Sequence, residues 1–378
     1  MSADRHECEH DGACPGCLRR SWLLSALSAS LDYQFGNMQR LLELLALSDA
    51  HLLSAVGGSR RSELIAAHAR FDHRELCNGE GGASVCRHRS SYPRALRDAG
   101  SPAMLNVDGG VGRLRDLLAA PTVAILGSTR ASDYGVEMAR SLARGLAASG
   151  VTVTSGLSDG IEVAAHAGAL EVSGATVAVM PGGLDVGCPA KRRSVYERIR
   201  HHGCGVAELP RASKPRRWAR VAGLRIIVRL AQLVIVVEAR DHAGEVAGAR
   251  IARTLGRTLA AVPGRVTSPT SSGSHALLMS GAHLVRGPAD ALELLCGPAA
   301  ATRTCPPAEL EPRLQTTLER VGEGQDTPEK LTREGGDCGE ILLALSELEL
   351  MGLLARGDGG RYVPRHACPY DPAHFGRA

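Results

Sequence analysis

An α/β fold built on a parallel sheet is what this 378-residue chain predicts, and three observations carry the prediction. Between residues 121 and 296, wholly apolar segments alternate with segments of helical periodicity, the pattern of strands covered on both faces by crossover helices. Glycine-bearing turns directly follow three of those segments: Gly127-Ser128-Thr129-Arg130 with Tyr134-Gly135, Ser155-Gly156-Leu157 with Asp159-Gly160, and Pro181-Gly182-Gly183. Such turns bring backbone N–H groups and a helix N-terminus close to an anion, and three in series form a phosphate-accepting rim at the C-terminal ends of the strands. Finally, no apolar stretch approaches the ~18–20 residues that span a bilayer, and the polar start lacks a signal-peptide core. A cytoplasmic protein with no membrane partner is expected.

The elements follow in order. Residues 1–20 read as a Cys/His-rich tail. Its Cys8, His10, Cys14 and Cys17 are the weak metal candidates: the Cys14-Pro15-Gly16-Cys17 pair could hold zinc, but no second half-site accompanies it, so no metal and no cofactor are expected. Eleven scattered cysteines argue against a disulfide framework. Residues 21–75 form a small helical, hairpin-like domain, with Leu23, Leu24, Leu27 and Leu31 at helical spacing, Ser48-Asp49 as a cap and Gly57-Gly58 as a stop. Residues 76–296 hold the α/β domain, with an extended entry segment and later strands at 205–208, 233–237 and 258–262. Residues 297–325, lacking a persistent pattern, read as a linker. Residues 326–366 read as a helix-turn-helix followed by a hairpin, the winged-helix layout, and 367–378 as a tail.

Charge is concentrated. The net +4 hides twelve cations against two acids in residues 191–229, a local +10 that leaves −6 elsewhere. A basic segment beside a phosphate-accepting rim points to a polyanion partner.

Taken with their order and spacing, the motifs resemble the DNA-processing protein A family (DprA, also called Smf). They are Gly127-Ser128 with Tyr134-Gly135, the stretch from Ser155 to His166, Gly182 to Pro189, Ala207 to Pro210, Val236 to Ala239, Gly256 to Gly264, and Ser272 to Ala282. The resemblance runs from about residue 92 to 295. It implies an extended Rossmann-like domain that binds single-stranded DNA, a role handing that DNA to the RecA recombinase during natural transformation, and homodimers with a helical N-terminal and a winged-helix C-terminal domain. Several polar positions depart from the family pattern. Thr129 stands where Arg is usual, Glu162 where Asp is, Cys188 where Tyr is, and His275 where Asn is. Gly223-Leu224-Arg225 keeps the last Arg of an R-N-R motif, and three hydroxyl residues are missing from Ala243 to Ala249.

The expected DNA contacts are therefore Gly127, Ser128, Thr129, Arg130 and Tyr134 on the first turn, and Ser155, Gly156 and Gly160 on the second. Gly182 and Gly183 stand on the third, followed by Lys191, Arg192, Arg193, Lys214, Arg216, Arg217, Trp218 and Arg225. Basic residues around an aromatic suit a single strand, because stacking contributes ~1–3 kcal/mol per base without sequence readout. No catalytic residue is expected: Asp159, Glu162 and Asp185 read as caps and turn residues, and His166 as a packing residue. The alternative is a nucleotide-processing enzyme of the lysine-decarboxylase-like phosphoribohydrolase type, which Pro181-Gly182-Gly183 resembles. Leu184-Asp185-Val186 follows, without the Gly-Thr and Glu of that family. A duplex-reading regulator is disfavoured because residues 340–351 carry three Glu and no Lys or Arg.

Overall fold

The computed structural model describes residues 12–73, 83–98, 100–186, 188, 190–240, 244–297, 311–322, 325–332, 337–350, 353–356 and 360–364. It divides into two compact units, residues 1–147 with 151–295, and 148–150 with 296–378. Among the described cysteines six are free, and Cys296 is in a disulfide.

The helical part begins inside the expected tail, at the helix Pro15–Ala26, where Pro15 opens the first turn. Helices Ser28–Asp32, Met38–Ala46, Asp49–Val56 and Arg61–Arg70 follow. Asn37 and Ser48 cap two of them, accepting from the N–H groups of Arg40 and His51. Leu23, Leu24, Leu27, Leu31, Leu41, Leu44, Leu52 and Leu53 are buried together with Trp218, Ala219, Val221 and Ala222. These helices thus share a core with helix Arg217–Leu230 of the α/β part.

Nine strands form one sheet: β1 (Ala83–Cys86), β2 (Met104–Asp108), β3 (Thr122–Leu126), β4 (Thr152–Gly156), β5 (Thr176–Val179), β6 (Cys204–Ala207), β7 (Leu233–Val236), β8 (Thr258–Ala261) and β9 (His283–Leu284). Their order is β1-β2-β6-β5-β4-β3-β7-β8-β9. β1 and β2 pair antiparallel with their neighbours, and β6 through β9 are parallel. This is the expected Rossmann-like sheet, and β2 to β6 are buried throughout because helices cover both faces. Helix Arg217–Leu230, hidden from sequence reading by its charges, is buried from 221 to 230, lying between the sheet and the N-terminal helices.

The second unit corrects the linker expected at 297–325. Helix Pro312–Gly322 occupies part of it, burying Leu314, Thr317 and Val321 at helical spacing. Helices Pro328–Thr332 and Cys338–Leu350 follow, then a hairpin of β10 (Leu354–Arg356) and β11 (Tyr362–Pro364). Leu314, Leu331, Ile341, Leu345, Leu348, Leu354 and Tyr362 form its core. Among the described residues no helix is long and apolar enough to cross a membrane.

Candidate nucleic-acid interface

From β3 the chain runs to β4, β5 and β6 on one side of the sheet, then returns to place β7 on the other. The crevice outside the C-terminal ends of the strands at such a switch point is where open α/β sheets bind ligands. The first and second glycine turns lie there and interlock. Gly160 has φ +77° and packs its α-carbon against the Ser128 carbonyl oxygen, where any side chain would collide. The Ile161 N–H donates to that same oxygen at 3.2 Å.

Two buried carboxylates, neither recognised from sequence as part of the site, organise these turns. Glu238, just past β7, accepts from the Ser132 N–H at 2.9 Å, the Ser132 hydroxyl at 2.5 Å and the Thr270 hydroxyl at 3.3 Å. Its backbone carbonyl accepts from the Ser128 N–H at 2.7 Å. Glu162 accepts from the Ser158 N–H at 2.7 Å and is likewise buried. The signal was present, in the Val-Val-Glu-Ala and Gly-Ile-Glu stretches, but an acid on a phosphate rim reads as a misfit until its backbone partners are seen.

Burial sorts the expected contacts. Arg130 and Arg193 are exposed, as are Lys214, Arg216 and Arg217; Ser128, Thr129 and Gly160 are half-exposed. Tyr134 is 48% exposed, its hydroxyl donating to the Pro263 carbonyl at 2.8 Å, so its ring face is available. Seven expectations are corrected. Gly127, Ser155 and Gly156 are buried at strand ends, with the Ser155 hydroxyl donating to the Ile125 carbonyl at 2.6 Å. Gly182 and Gly183 are buried because the backbone of 210–215 crosses them: Gly183 packs on the Arg211 carbonyl and donates its N–H to the Ser213 carbonyl at 2.8 Å. Trp218 is wholly buried among leucines and offers no face for a base. Arg225 is 2% exposed, and its guanidinium donates to Glu208 at 2.5 Å and to the carbonyls of Gly100 and Ala222, each at 2.8 Å.

The basic segment is also less free than its sequence suggests. Of its twelve cations, Lys191 and Arg192 meet Asp159, Arg200 and Arg211 meet Asp108, Arg216 meets Asp32 and Arg225 meets Glu208, all within 4.0 Å. Arg211 also meets Asp185 at 2.6 Å. Lys191 holds the Asp159 carboxyl below the usual carboxylate range. Arg217 lies over the Phe35 ring, 4.2 Å from its centroid.

Arg220, passed over among the expected contacts, is exposed on the same helix face as Arg216 and Arg217. It lines the crevice beside Gly156, Ser158, Glu162 and Pro181, and also a larger cleft of about 1040 Å³ bounded by Phe35, Met38, Arg250 and Leu255.

His166 is structural. It is fully buried, its Nε2 on the Gly156 carbonyl and its Nδ1 on the Thr176 hydroxyl, each at 2.7 Å. Burial pushes its imidazole down to about 4. Of the N-terminal metal candidates, Cys8 and His10 lie outside the described residues, as do Pro189 and Ala243 of the motif stretches. Cys14 and Cys17 lie beside Cys86 and His88.

The family described as DNA recombination-mediator protein A matches residues 83–296. A Mycobacterium tuberculosis chain is 37% identical over 257 residues, 66% of either protein, so the match spans about two thirds of that relative. Protein Smf of Escherichia coli is 33% identical over 287 residues, covering 73% of this chain and 75% of that one. The X-ray structure of DNA processing protein A from Streptococcus pneumoniae superposes with a TM-score of 0.59 at 26% identity, over 75% of this chain and 99% of that one. A Helicobacter pylori DNA processing protein A structure, whose subject is its single-stranded DNA binding mode, gives 0.50 at 26% identity, over 57% and 95%.

Proposed function

The chain belongs to the DNA recombination-mediator protein A family, and we propose that it binds single-stranded DNA along the C-terminal rim of its sheet and hands it to a RecA-type recombinase. The observation that carries this reading is that Arg130 and the exposed Tyr134 ring follow the first of two interlocked turns, while Arg220 lines the crevice beside the second. Phosphates would meet the half-exposed Ser128–Thr129 turn and the guanidiniums in charge-assisted contacts. Arg130 supplies the charge that Thr129 lacks, one residue on. Tyr134 supplies a sequence-tolerant stacking face. Arg193, Lys214, Arg216 and Arg217 extend the basic track, with Lys191 and Arg192 exchanging Asp159 for phosphate.

The reading needs no catalytic step. Asp159, Glu162 and Asp185 are each engaged by a cation or a backbone N–H, and His166 is sealed from the crevice. The wider role inferred for the chain is cytoplasmic, in natural transformation, as a homodimer, with residues 326–366 forming a winged helix that contacts protein rather than DNA.

The test is fluorescence anisotropy of the purified chain with a labelled single-stranded oligonucleotide across a salt series, beside a duplex of equal length. Salt-sensitive binding that prefers the single strand supports the proposal. Equal affinity for duplex, or no binding at low salt, rejects it.

A further inference from the structure

The geometry points to a structural Zn²⁺ site formed by Cys14, Cys17, Cys86 and His88, which pins the N-terminal segment to the edge of the sheet. The function proposed above does not use these residues. Sequence reading found the Cys14-Pro15-Gly16-Cys17 pair and no second half-site; that half-site is Cys86-Arg87-His88, contributed by β1 and the turn after it. The Cys14 and Cys86 positions are 72 residues apart, a separation at which linear motif reading fails.

Four observations support the assignment. First, the ligand set is complete. Three thiols and one imidazole converge with all four donor atoms within 4.8 Å of one another, the Cys₃His composition of closed structural zinc sites. Second, the spacing fits. A tetrahedral zinc with Zn–S about 2.3 Å and Zn–N about 2.0–2.1 Å sets S···N edges of about 3.6 Å. Here the His88 Nδ1 is 3.3, 3.6 and 4.0 Å from the sulfurs of Cys14, Cys17 and Cys86. Third, the three thiols are free rather than paired, with Cys17 and Cys86 buried and Cys14 half-buried. Fourth, the surroundings are those of a built site. Cys17 and Cys86 are buried with Leu18 and Met104, and Phe71 and Ala103 pack around them. The Cys14 N–H donates to the Cys86 sulfur at 3.4 Å. The helix that starts at Pro15 directs its N-terminus at the cluster, which favours thiolate.

The soft sulfur ligands and the closed, four-ligand arrangement select Zn²⁺ over harder divalent ions. Binding displaces three thiol protons, leaving three thiolates, a neutral imidazole and Zn²⁺. The structural consequence is local. Residues 12–14 are held to β1 and the turn after it otherwise by the packing of Ala13 and Cys14 and by two polar contacts, the Ala13 N–H to the Ser84 hydroxyl at 3.3 Å and the Arg89 guanidinium to the Gly12 carbonyl at 3.1 Å. β1 is the terminal strand of the sheet, and a metal clasp across so long a loop is an efficient way to fix such an edge.

The experiment is elemental analysis of the full-length, tag-free chain, followed by metal removal and titration with Co²⁺ as a spectroscopic probe. The expected result is roughly one zinc per chain and a Co²⁺ spectrum with thiolate charge-transfer bands and intense tetrahedral d–d bands. His88→Ala, an exposed position whose variant is checked by circular dichroism, and Cys86→Ser should each weaken Zn²⁺ binding by more than about tenfold. Cys8→Ser and His10→Ala should leave the metal content unchanged. Zinc-free reduced protein, an octahedral Co²⁺ spectrum, or full zinc retention in Cys86→Ser overturns the assignment. So does loss of zinc in Cys8→Ser, which would give the metal to the linear N-terminal cluster.

Discussion

Replacing Arg225 separates a stabilising role from a DNA-contacting one. Its guanidinium is 2% exposed and makes one bond to the Glu208 carboxylate and two to backbone carbonyls. Arg225→Met keeps most of the volume but leaves the Glu208 charge, 10% exposed, without its counter-ion. Removing one partner of a buried pair costs about 3–5 kcal/mol. Coulomb attraction at ~4 Å with an effective dielectric of 20 gives about 4 kcal/mol, which agrees. Loss of the donor to the Gly100 carbonyl adds to this, though not additively, while the Ala222 carbonyl keeps its place in the helical ladder. Arg225→Met/Glu208→Leu removes both charges and should recover more than half of the loss, because an apolar pair of similar volume is often neutral. Urea denaturation with linear extrapolation measures the stabilities, and anisotropy on a single strand measures affinity. Arg220→Met, five residues earlier on the exposed face, should behave oppositely. Its stability should change by less than about 0.5 kcal/mol, and its affinity should fall by roughly 10–100-fold, the worth of one charge-assisted contact. If Arg225→Met loses under about 1 kcal/mol of stability yet abolishes DNA binding, the assignment of Arg225 to the core is refuted.

Arg130→Ala should reduce the slope of log affinity against log salt by about 0.7, the share of one single-strand phosphate; an unchanged slope places Arg130 away from the strand. Trp218→Ala should destabilise the protein by about 3–5 kcal/mol in urea, whereas a stable variant with weakened DNA binding would return Trp218 to the interface. His166 gives a pH dependence. Its folded value of about 4 lies below the ordinary 6.5, so the unfolded chain takes up a proton first, and its contribution is complete above pH ~6.5 and lost as pH falls toward 4. The loss is roughly 3 kcal/mol, and His166→Gln should flatten that limb of the stability profile. Removing 326–378 should leave most single-strand affinity, since helix Cys338–Leu350 carries Glu340, Glu347 and Glu349 and no cation; a large loss would make that unit the binder.

Much of the fold was legible because it rests on local rules. Uninterrupted apolar strands, the capping Ser48, and glycine turns after three of the strands need no long-range information. What escaped did so for identifiable reasons. Helix Arg217–Leu230 is buried over its last ten residues yet carries Arg225 and Arg229, and charge conceals a core helix when the counter-ion, Glu208, comes from another element. Helix Pro312–Gly322 was lost among Pro, Glu and Gly, although Leu314, Thr317 and Val321 keep a helical period.

The site was harder to read than the fold, and one physical cause accounts for most of the gap. Glycine after a strand has two uses, letting a ligand approach or letting the protein's own backbone approach, and sequence does not distinguish them. Gly160 packs on Ser128 and Gly183 on Arg211, so both serve the second use, and the anion-facing surface narrows to the Ser128–Thr129 turn and the side chains around it. The same ambiguity governs charge. A run of cations reads as a polyanion track only while its acids are out of view, and Asp32, Asp108, Asp159 and Asp185 all come from outside the run or from other loops. Arg130, beside the first turn, and Arg193 and Arg220, exposed on the basic segment, are therefore stronger evidence for a nucleic-acid interface than the original twelve. They remain exposed in a fold that brings carboxylates to six of the twelve, and it is on these three that charge reversal should act without unfolding the chain.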